Sequence, residues 1–358
     1  MALKLGINLG YWGIGPKGDE AVELVREAER LGFDSVWVAE SYGSDVVSVL
    51  AWLAPQTETI QLGGAIMQVP ARAPAAAAMA GCTIDALSGG RFIFGFGPSG
   101  PQVSEGWYGV PYPKPWGRTR EYIEIVRSIV AREGPLEYDG RHYTLPLPVG
   151  EGTTGEGKAL KLNFHPVRND IPIFVGAIGR KSVEMAAEIC DGWIPIFCSP
   201  DAFEATWSEH LEAGFAKGGR SREDLEISPT LQIAIDGDTE AARSVVKAGL
   251  LLYLGGMGSR DTNFYVDLTH RFGFGDVADE VQSLFLDGKR DAAYKAIPDE
   301  LADATSLVGT EDEVRERIAK YEALGVDRII VSPIQPDAGE RTHTLGRLAE
   351  IVGVGAPA

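Results

Sequence analysis

Short runs of β-branched and aromatic residues alternate with segments of helical period eight times along the chain, and this rhythm limits the possible folds more than any other feature. "LKLGINL" (3–9) precedes "DEAVELVREAERLG" (19–32), where Val22, Val25, Ala28 and Leu31 recur on one helical face and Gly32 marks the stop. Three further units follow before residue 135: "SVWVAE" with a helix from Ser44, "IQLGGAIM" with a helix from Arg72, and "RFIFGFG" with a helix from Gly117. The second half repeats the pattern with "IPIFVG" and a helix from Arg180, "GWIPIF" and a helix from Asp201, "LEISPTLQIAI" and a helix from Thr239, and "DRIIVSPI" before a last helix. Strands that are short, apolar throughout and separated by helices belong to a parallel sheet covered on both faces. Eight such units predict an α/β fold, a (β/α)8 TIM barrel.

Two stretches break the rhythm, after strands 4 and 7. Residues of about 135–170 hold "LEYDGRHYTLP", read as a small hairpin, and then the loop-like "PVGEGTTGEGK"; residues of about 255–300 hold "GGMGSRDTNFYVDLTHRFGFGD" and further short helices. With no repeat or linker to divide it, 1–358 reads as a single domain. A formal charge of -18 repels phosphodiester backbones and anionic lipid, which excludes a general nucleic-acid binder. The opening "MALKLGINLG" lacks a basic n-region, and no run reaches the ~18 apolar residues of a membrane span. Cys82, Cys190 and Cys198 lack C-x-x-C spacing and lie in apolar surroundings, as reduced thiols of a cytoplasmic protein do. The histidines (His142, His165, His210, His270, His343) have no metal-ligand spacing, so no metal site is expected.

"GFGPSG" (95–100) matches the dinucleotide-binding pattern G-x-G-x-x-G, but that pattern carries meaning only where a helix starts within the glycine loop and an acid follows about 20 residues on. Here Pro101, Pro111, Pro113 and Pro115 predict no regular helix before Gly117, and Glu121, the acid at the right distance, falls on that helix. The glycines therefore read as the place where strand 4 leaves the sheet and the backbone can approach a ligand, or as a wide loop without one. "SGGR" (88–91) precedes strand 4 and so lies at the opposite end, where Arg91 is expected to be structural and to meet Asp85.

The stretches "SVWVAESYG" (35–43), "GGAIMQVPARAPAAAAMAGCTIDALSGGRFIFGFGPSGPQVSEGWYG" (63–109), "KPWGRTREYIEIVR" (114–127) and "IPIFVGAIGRKSVEMAAEICDGWIP" (171–195) resemble the bacterial-luciferase-like superfamily. Within it they are most similar to the coenzyme F420-dependent oxidoreductases, a group that includes methylenetetrahydromethanopterin reductase. The resemblance implies a (β/α)8 barrel and hydride transfer between the C5 carbon of a deazaflavin and a small organic substrate. It also implies a non-proline cis peptide at Ala65–Ile66, in a bulge on strand 3 that supports the deazaflavin ring. Ser99, in the strand 4 loop, is a further cofactor-binding candidate because it stands at a strand end on the rim. In the loop after strand 5, Gly176, Ala177, Ile178 and Gly179 match the segment whose amides hold the cofactor phosphate, with Arg180 or Lys181 adding charge. An ordinary strand-to-helix turn is the alternative there.

Related enzymes often carry an acid followed by a histidine at the end of strand 2, and this chain has Glu40 and then Ser41. Glu40 is the candidate proton acceptor or ring-holding group. A serine hydroxyl cannot replace imidazole in proton transfer near neutral pH, so a mechanism that needs a histidine base is disfavoured and Ser41 is expected to donate a hydrogen bond. Tyr11, Trp12, Glu105 and Trp107 are the candidate substrate-binding residues, the aromatics walling a flat ring. Two rival readings remain, an FMN-dependent luciferase-like monooxygenase and a non-catalytic cofactor-binding barrel. A homodimer is expected from the resemblance, although no apolar patch stands out in the sequence.

Overall fold

The computed structural model describes residues 2–12, 16, 18–258 and 261–355. β1 (Lys4–Tyr11) leads to α1 (Asp19–Arg30), which buries Ala21, Val22, Leu24, Val25 and Ala28. Gly32 ends that turn at φ 88°, where a β-carbon would also overlap the Gly355 backbone. β2 (Ser35–Ala39) is followed by α2 (Val46–Leu53), capped by Asp45, whose carboxylate accepts from the Ser48 amide at 2.7 Å. β3 (Gln61–Gly64) and β4 (Met67–Gln68) are one strand interrupted at Ala65–Ile66, and that peptide is cis. α3 (Pro74–Leu87), β5 (Phe92–Gly97), α4 (Pro101–Gly106) and α5 (Pro115–Ala131) come next, then the antiparallel pair β6 (Tyr138–Asp139) and β7 (Thr144–Leu145). The chain continues through β8 (Ile173–Val175), α6 (Arg180–Ile189), β9 (Gly192–Trp193), α7 (Phe203–Gly218), β10 (Glu226–Ile227), β11 (Thr230–Ile235) and α8 (Thr239–Leu251). After a π-helical turn at Leu252–Gly256 follow α9 (Phe264–Arg271), α10 (Gly275–Leu286), α11 (Arg290–Lys295), α12 (Asp299–Ala304), β12 (Ser306–Gly309), α13 (Glu311–Ala323), β13 (Arg328–Pro333) and α14 (Ala338–Val352).

These elements form two compact units, and each has its own parallel strands and core. The first comprises Gly10–Gly15 and Trp37–Val175. Its strands run in the order β8, β5, β3, β2, with β4 also paired to β5. β5 is buried along its whole length, and its rings form a ladder: Phe92 and Phe94 at 4.8 Å between centroids, Phe94 and Phe96 at 5.2 Å, and Tyr122 of α5 edge-on to Phe96 at 5.2 Å. Each such ring, fully removed from water, contributes roughly 1.5–3 kcal/mol. α3 comes close to this ladder because Gly81 leaves room for Phe94, where a β-carbon would overlap the ring.

The second unit comprises Met1–Leu9, Pro16–Val36 and Gly176–Ala358. In it β1, β13, β11 and β12 are parallel neighbours, with Lys4 opposite Arg328 and Gln232 opposite Ser306, and β9 pairs with β10. An aromatic nucleus packs Trp207 against Trp193 at 5.3 Å and Phe203 against Trp207 at 5.4 Å. A separate apolar cluster joins Val246 and Leu250 of α8 to Val281, Ile297, Leu301 and Val308. The helices of the 255–300 stretch thus own a core together with β12.

The parallel α/β organisation agrees with the sequence, and four details differ from expectation. A helix does begin at Pro101, directly after the glycine loop, because proline at the first helical position loses no hydrogen bond; Pro115 opens α5 in the same way. Glu121 nevertheless serves the hairpin, accepting from the Arg141, His142 and Tyr143 amides at 2.8–3.0 Å. Asp85 is buried and pairs with Arg168 at 2.5 Å, while Arg91 donates to the Ala54, Thr57, Ile60 and Ser88 carbonyls instead. β12 and α13 form a unit that the eight-fold reading left out, because "SLVG" is too short to show a period. Among the described residues no helix is long and apolar enough to cross a membrane.

Candidate functional site

Four of the expected residues meet in the first unit, around the interruption between β3 and β4. The Ala65 amide donates to the Val38 carbonyl at 2.8 Å and the Glu40 amide to the Ile66 carbonyl at 3.2 Å, so the bulge is tied to the end of β2. Ile66 lies over Gly97 at the end of β5, and a β-carbon there would overlap Ile66 Cδ1. Gln68 extends the cluster, with its amide N–H donating to Glu40 Oε2 at 2.9 Å and its side-chain Nε2 to Ser99 Oγ at 2.8 Å. Ser99 has φ 63°, a left-handed conformation that costs a serine more than a glycine, and its carbonyl accepts from the Tyr112 hydroxyl at 3.2 Å.

Glu40 is only 5% exposed and its carboxylate is occupied. Arg72 grips it with two nitrogens, Nη1 reaching Oε2 at 3.1 Å and Nη2 reaching Oε1, while the Val46 amide adds a 3.4 Å bond. Arg72 also reaches Asp45 at 2.9 Å. Burial works to lower the Arg72 pKa, but the Glu40 and Asp45 carboxylates outweigh it and raise it. Burial likewise works to raise the Asp45 pKa, yet the bonds from Ser48 and the charge of Arg72 bring it below the ordinary value. Ser41 is half-buried, its carbonyl 3.4 Å from the Tyr108 hydroxyl, whose pKa is raised by burial and then by Glu40. Sequence reasoning missed Arg72, although a lone cation in the Ala- and Pro-rich "VPARAP" was the available signal.

The substrate-binding candidates are less concentrated. Glu105 is exposed and accepts from the Tyr112 amide at 3.0 Å, which links it through Tyr112 to Ser99. Trp12 packs edge-on against Trp52 at 5.4 Å, Tyr11 is 36% exposed, and Trp107, at the end of α4, is 66% exposed.

The second unit carries the glycine loop. Three of its carbonyls are engaged: Ala177 O accepts from Trp193 Nε1 at 2.8 Å, Ile178 O from Arg271 Nη2 at 2.7 Å and Trp207 Nε1 at 3.4 Å, and Gly179 O from the Ser182 and Val183 amides at 3.1 and 2.9 Å. The Gly179 amide, expected to face an anion, instead donates to Ser182 Oγ at 3.1 Å. The Arg180 and Lys181 amides of the first turn of α6 have no backbone acceptor among the described residues, as geometry dictates for a helix start. Arg271, from the 255–300 stretch, is half-buried, and burial together with the charge of Arg180 lowers its pKa. The Arg180 and Lys181 amides, with the charges of Arg180, Lys181 and Arg271 close to them, are of the kind that suits an anion. No feature of the sequence singled out Arg271.

A protein-family model described as luciferase-like monooxygenase matches residues 8–328. The chain belongs to the luciferase-like monooxygenase family. The relatives named below for an activity are enzymes, and this chain is one too. One relative, from Mycobacterium tuberculosis and provisionally named a coenzyme F420-dependent oxidoreductase, is 53% identical over 92% of this chain and 95% of its own. The 5,10-methylenetetrahydromethanopterin reductase of Archaeoglobus fulgidus is 31% identical over 90% of this chain and 92% of its own. Among solved structures, the coenzyme F420-dependent tetrahydromethanopterin reductase from Methanopyrus kandleri superposes with a TM-score of 0.77 at 25% identity, covering 97% of this chain and 98% of that one. The luciferase-like fold thus spans nearly the whole chain.

Proposed function

We propose that this protein is an F420-dependent oxidoreductase that moves a hydride between the deazaflavin C5 and a small organic substrate. The observation that carries this reading is the 53% identity, over 92% of the chain, to a relative named for that cofactor. A deazaflavin exchanges a hydride as a two-electron unit, much as a nicotinamide does. We read the chain as one luciferase-like domain built on a (β/α)8 barrel, with the insertions after strands 4 and 7.

Each unit, taken by itself, holds residues that fit a part of such a group. At the bulge, Gly97 makes room for Ile66, so that Ala65 and Ile66 offer a flat apolar support, and Gln68 Oε1 is a buried polar atom without a partner among the described residues. At the glycine loop, the cations Arg180, Lys181 and Arg271 with the free amides of α6 match a phosphate in charge and in donor type. Glu40, held by Arg72, fixes the bulge through the Gln68 amide and contributes a buried negative charge. Ser41 stands where related enzymes often carry a histidine, which favours hydride transfer without a histidine base. Tyr11, Trp12, Glu105 and Trp107 remain the proposed substrate contacts.

We also propose a homodimer. Its support is the outward side of α3, where Met79 and Leu87 are 56% and 59% exposed beside Ala75, Ala76 and Thr83, with Trp52 of the neighbouring α2 at 39%.

Titration of the purified protein with oxidised F420 and, separately, with FMN tests the cofactor. Quenching of tryptophan fluorescence at micromolar F420, with FMN much weaker, is the expected outcome. Preferential FMN binding would replace this reading with the monooxygenase one, which the family description favours. Binding of neither would leave the non-catalytic reading in its place.

A further inference from the structure

Gln68 is 4% exposed and sits two residues past the Ala65–Ile66 peptide, on β4, opposite Gly97 of β5. Both side chains reach the end of β5, Gln68 through its bond to Ser99 Oγ and Ile66 by lying over Gly97. Its carboxamide is only half satisfied. Nε2 donates to Ser99 Oγ at 2.8 Å, while Oε1 is buried and meets no donor among the described residues. Turning the amide over would exchange the atoms and still leave one without a partner. Ser99 keeps a hydroxyl there despite its left-handed φ of 63°, a conformation glycine would adopt without cost.

A buried acceptor without a donor destabilises a protein that stands alone, and such atoms in a folded chain require an explanation. We propose that Gln68 is a cofactor-reading residue, whose Oε1 accepts a hydrogen bond from an N–H on the edge of a flat fused pyrimidinedione ring seated on Ile66. The proposal rests on the F420 reading and deepens it. Ser99 acts as a positioning residue, holding the amide so that its oxygen faces the ligand. The apolar bulge supports the face of the ring, and Gln68 reads its edge, which fixes how the ring lies on the bulge. Leucine or methionine at position 68 keeps the volume and removes the acceptor.

The test compares wild type, Gln68→Leu and Gln68→Met by thermal melting without ligand and by fluorescence titration with F420 and with a deazaflavin methylated at that ring nitrogen. Expected are an apo melting temperature that is unchanged or raised in the variants and an F420 affinity at least tenfold weaker. The wild type should also discriminate at least tenfold against the methylated ring, and the variants should not. A lowered apo melting temperature with undiminished affinity would make Gln68 purely structural and overturn the proposal, as would equal binding of both rings by the wild type. Failure of the wild type to bind F420 at all would instead overturn the cofactor reading, and this inference with it.

Discussion

At the scale of the residue, the most constrained group is the Glu40 carboxylate, which accepts from Arg72, the Gln68 amide and the Val46 amide while 5% exposed. Removing one partner of a buried pair leaves the other charge without compensation. Glu40→Gln should therefore lower the unfolding free energy by about 3–5 kcal/mol, read from the midpoint shift in urea at unchanged m-value. A loss below about 1 kcal/mol would mean that Asp45 alone can hold Arg72. Glu40 was legible as an acid at a strand end, a position that chemistry favours. Arg72 was not, because it stands 32 residues away and only the folding of the segment after β4 onto the end of β2 brings it to the carboxylate. For the same reason Asp85 was expected to meet Arg91, near it in the chain, and instead meets Arg168, 83 residues on.

At the scale of the element, the interrupted β3–β4 strand depends on two glycines with different neighbours. A β-carbon on Gly63 would run into the ring of Trp37, which is 0% exposed and packed on Phe174 at 5.5 Å, so nothing nearby can give way. One on Gly97 would meet the mobile end of Ile66, which is partly exposed. Gly63→Ala should therefore cost about 1–3 kcal/mol of stability or prevent folding, whereas Gly97→Ala should cost less than about 1 kcal/mol and act on the ligand, weakening F420 binding at least fivefold as Ile66 is pushed aside. Parallel denaturation and titration of the two variants would decide it, and equal losses of stability would refute the distinction. Element types were readable because strand and helix periods are local. The helix at Pro101–Gly106 was misread because proline was counted as a breaker where it stands at the first position.

For the whole molecule, a net charge of -18 makes two copies repel, so a dimer contact must avoid charge. α3 and α2 meet that need: the only charged residue in either is Asp85, which is 0% exposed and paired with Arg168. α3 is apolar on both its sides, the mark of a helix covered on both. Met79→Glu and Leu87→Glu should each convert a dimer to a monomer in light scattering coupled to size exclusion, with the circular dichroism spectrum unchanged. A dimer that survives both substitutions would remove α3 from the interface. The patch escaped the sequence reading because alanine, methionine and leucine in one helix do not reveal which of them the core takes.

What the amino-acid order determined by itself was whatever depends on neighbours within a few residues: alternating periods, the helix stop at Gly32, the start of α6 at Arg180, the turn of the 138–145 hairpin, and the four motifs that mark the family. These follow from backbone geometry and side-chain volume, which act locally. The tertiary structure alone decided the partners of buried charges, the use of the Gly179 amide by Ser182, the arrival of Arg271 at the glycine loop and the half-satisfied amide of Gln68. Apart from the local Gly179–Ser182 bond, each of these is set by hydrogen-bond and Coulomb energies that fall off within a few ångströms, between residues that folding brings together from distant parts of the chain.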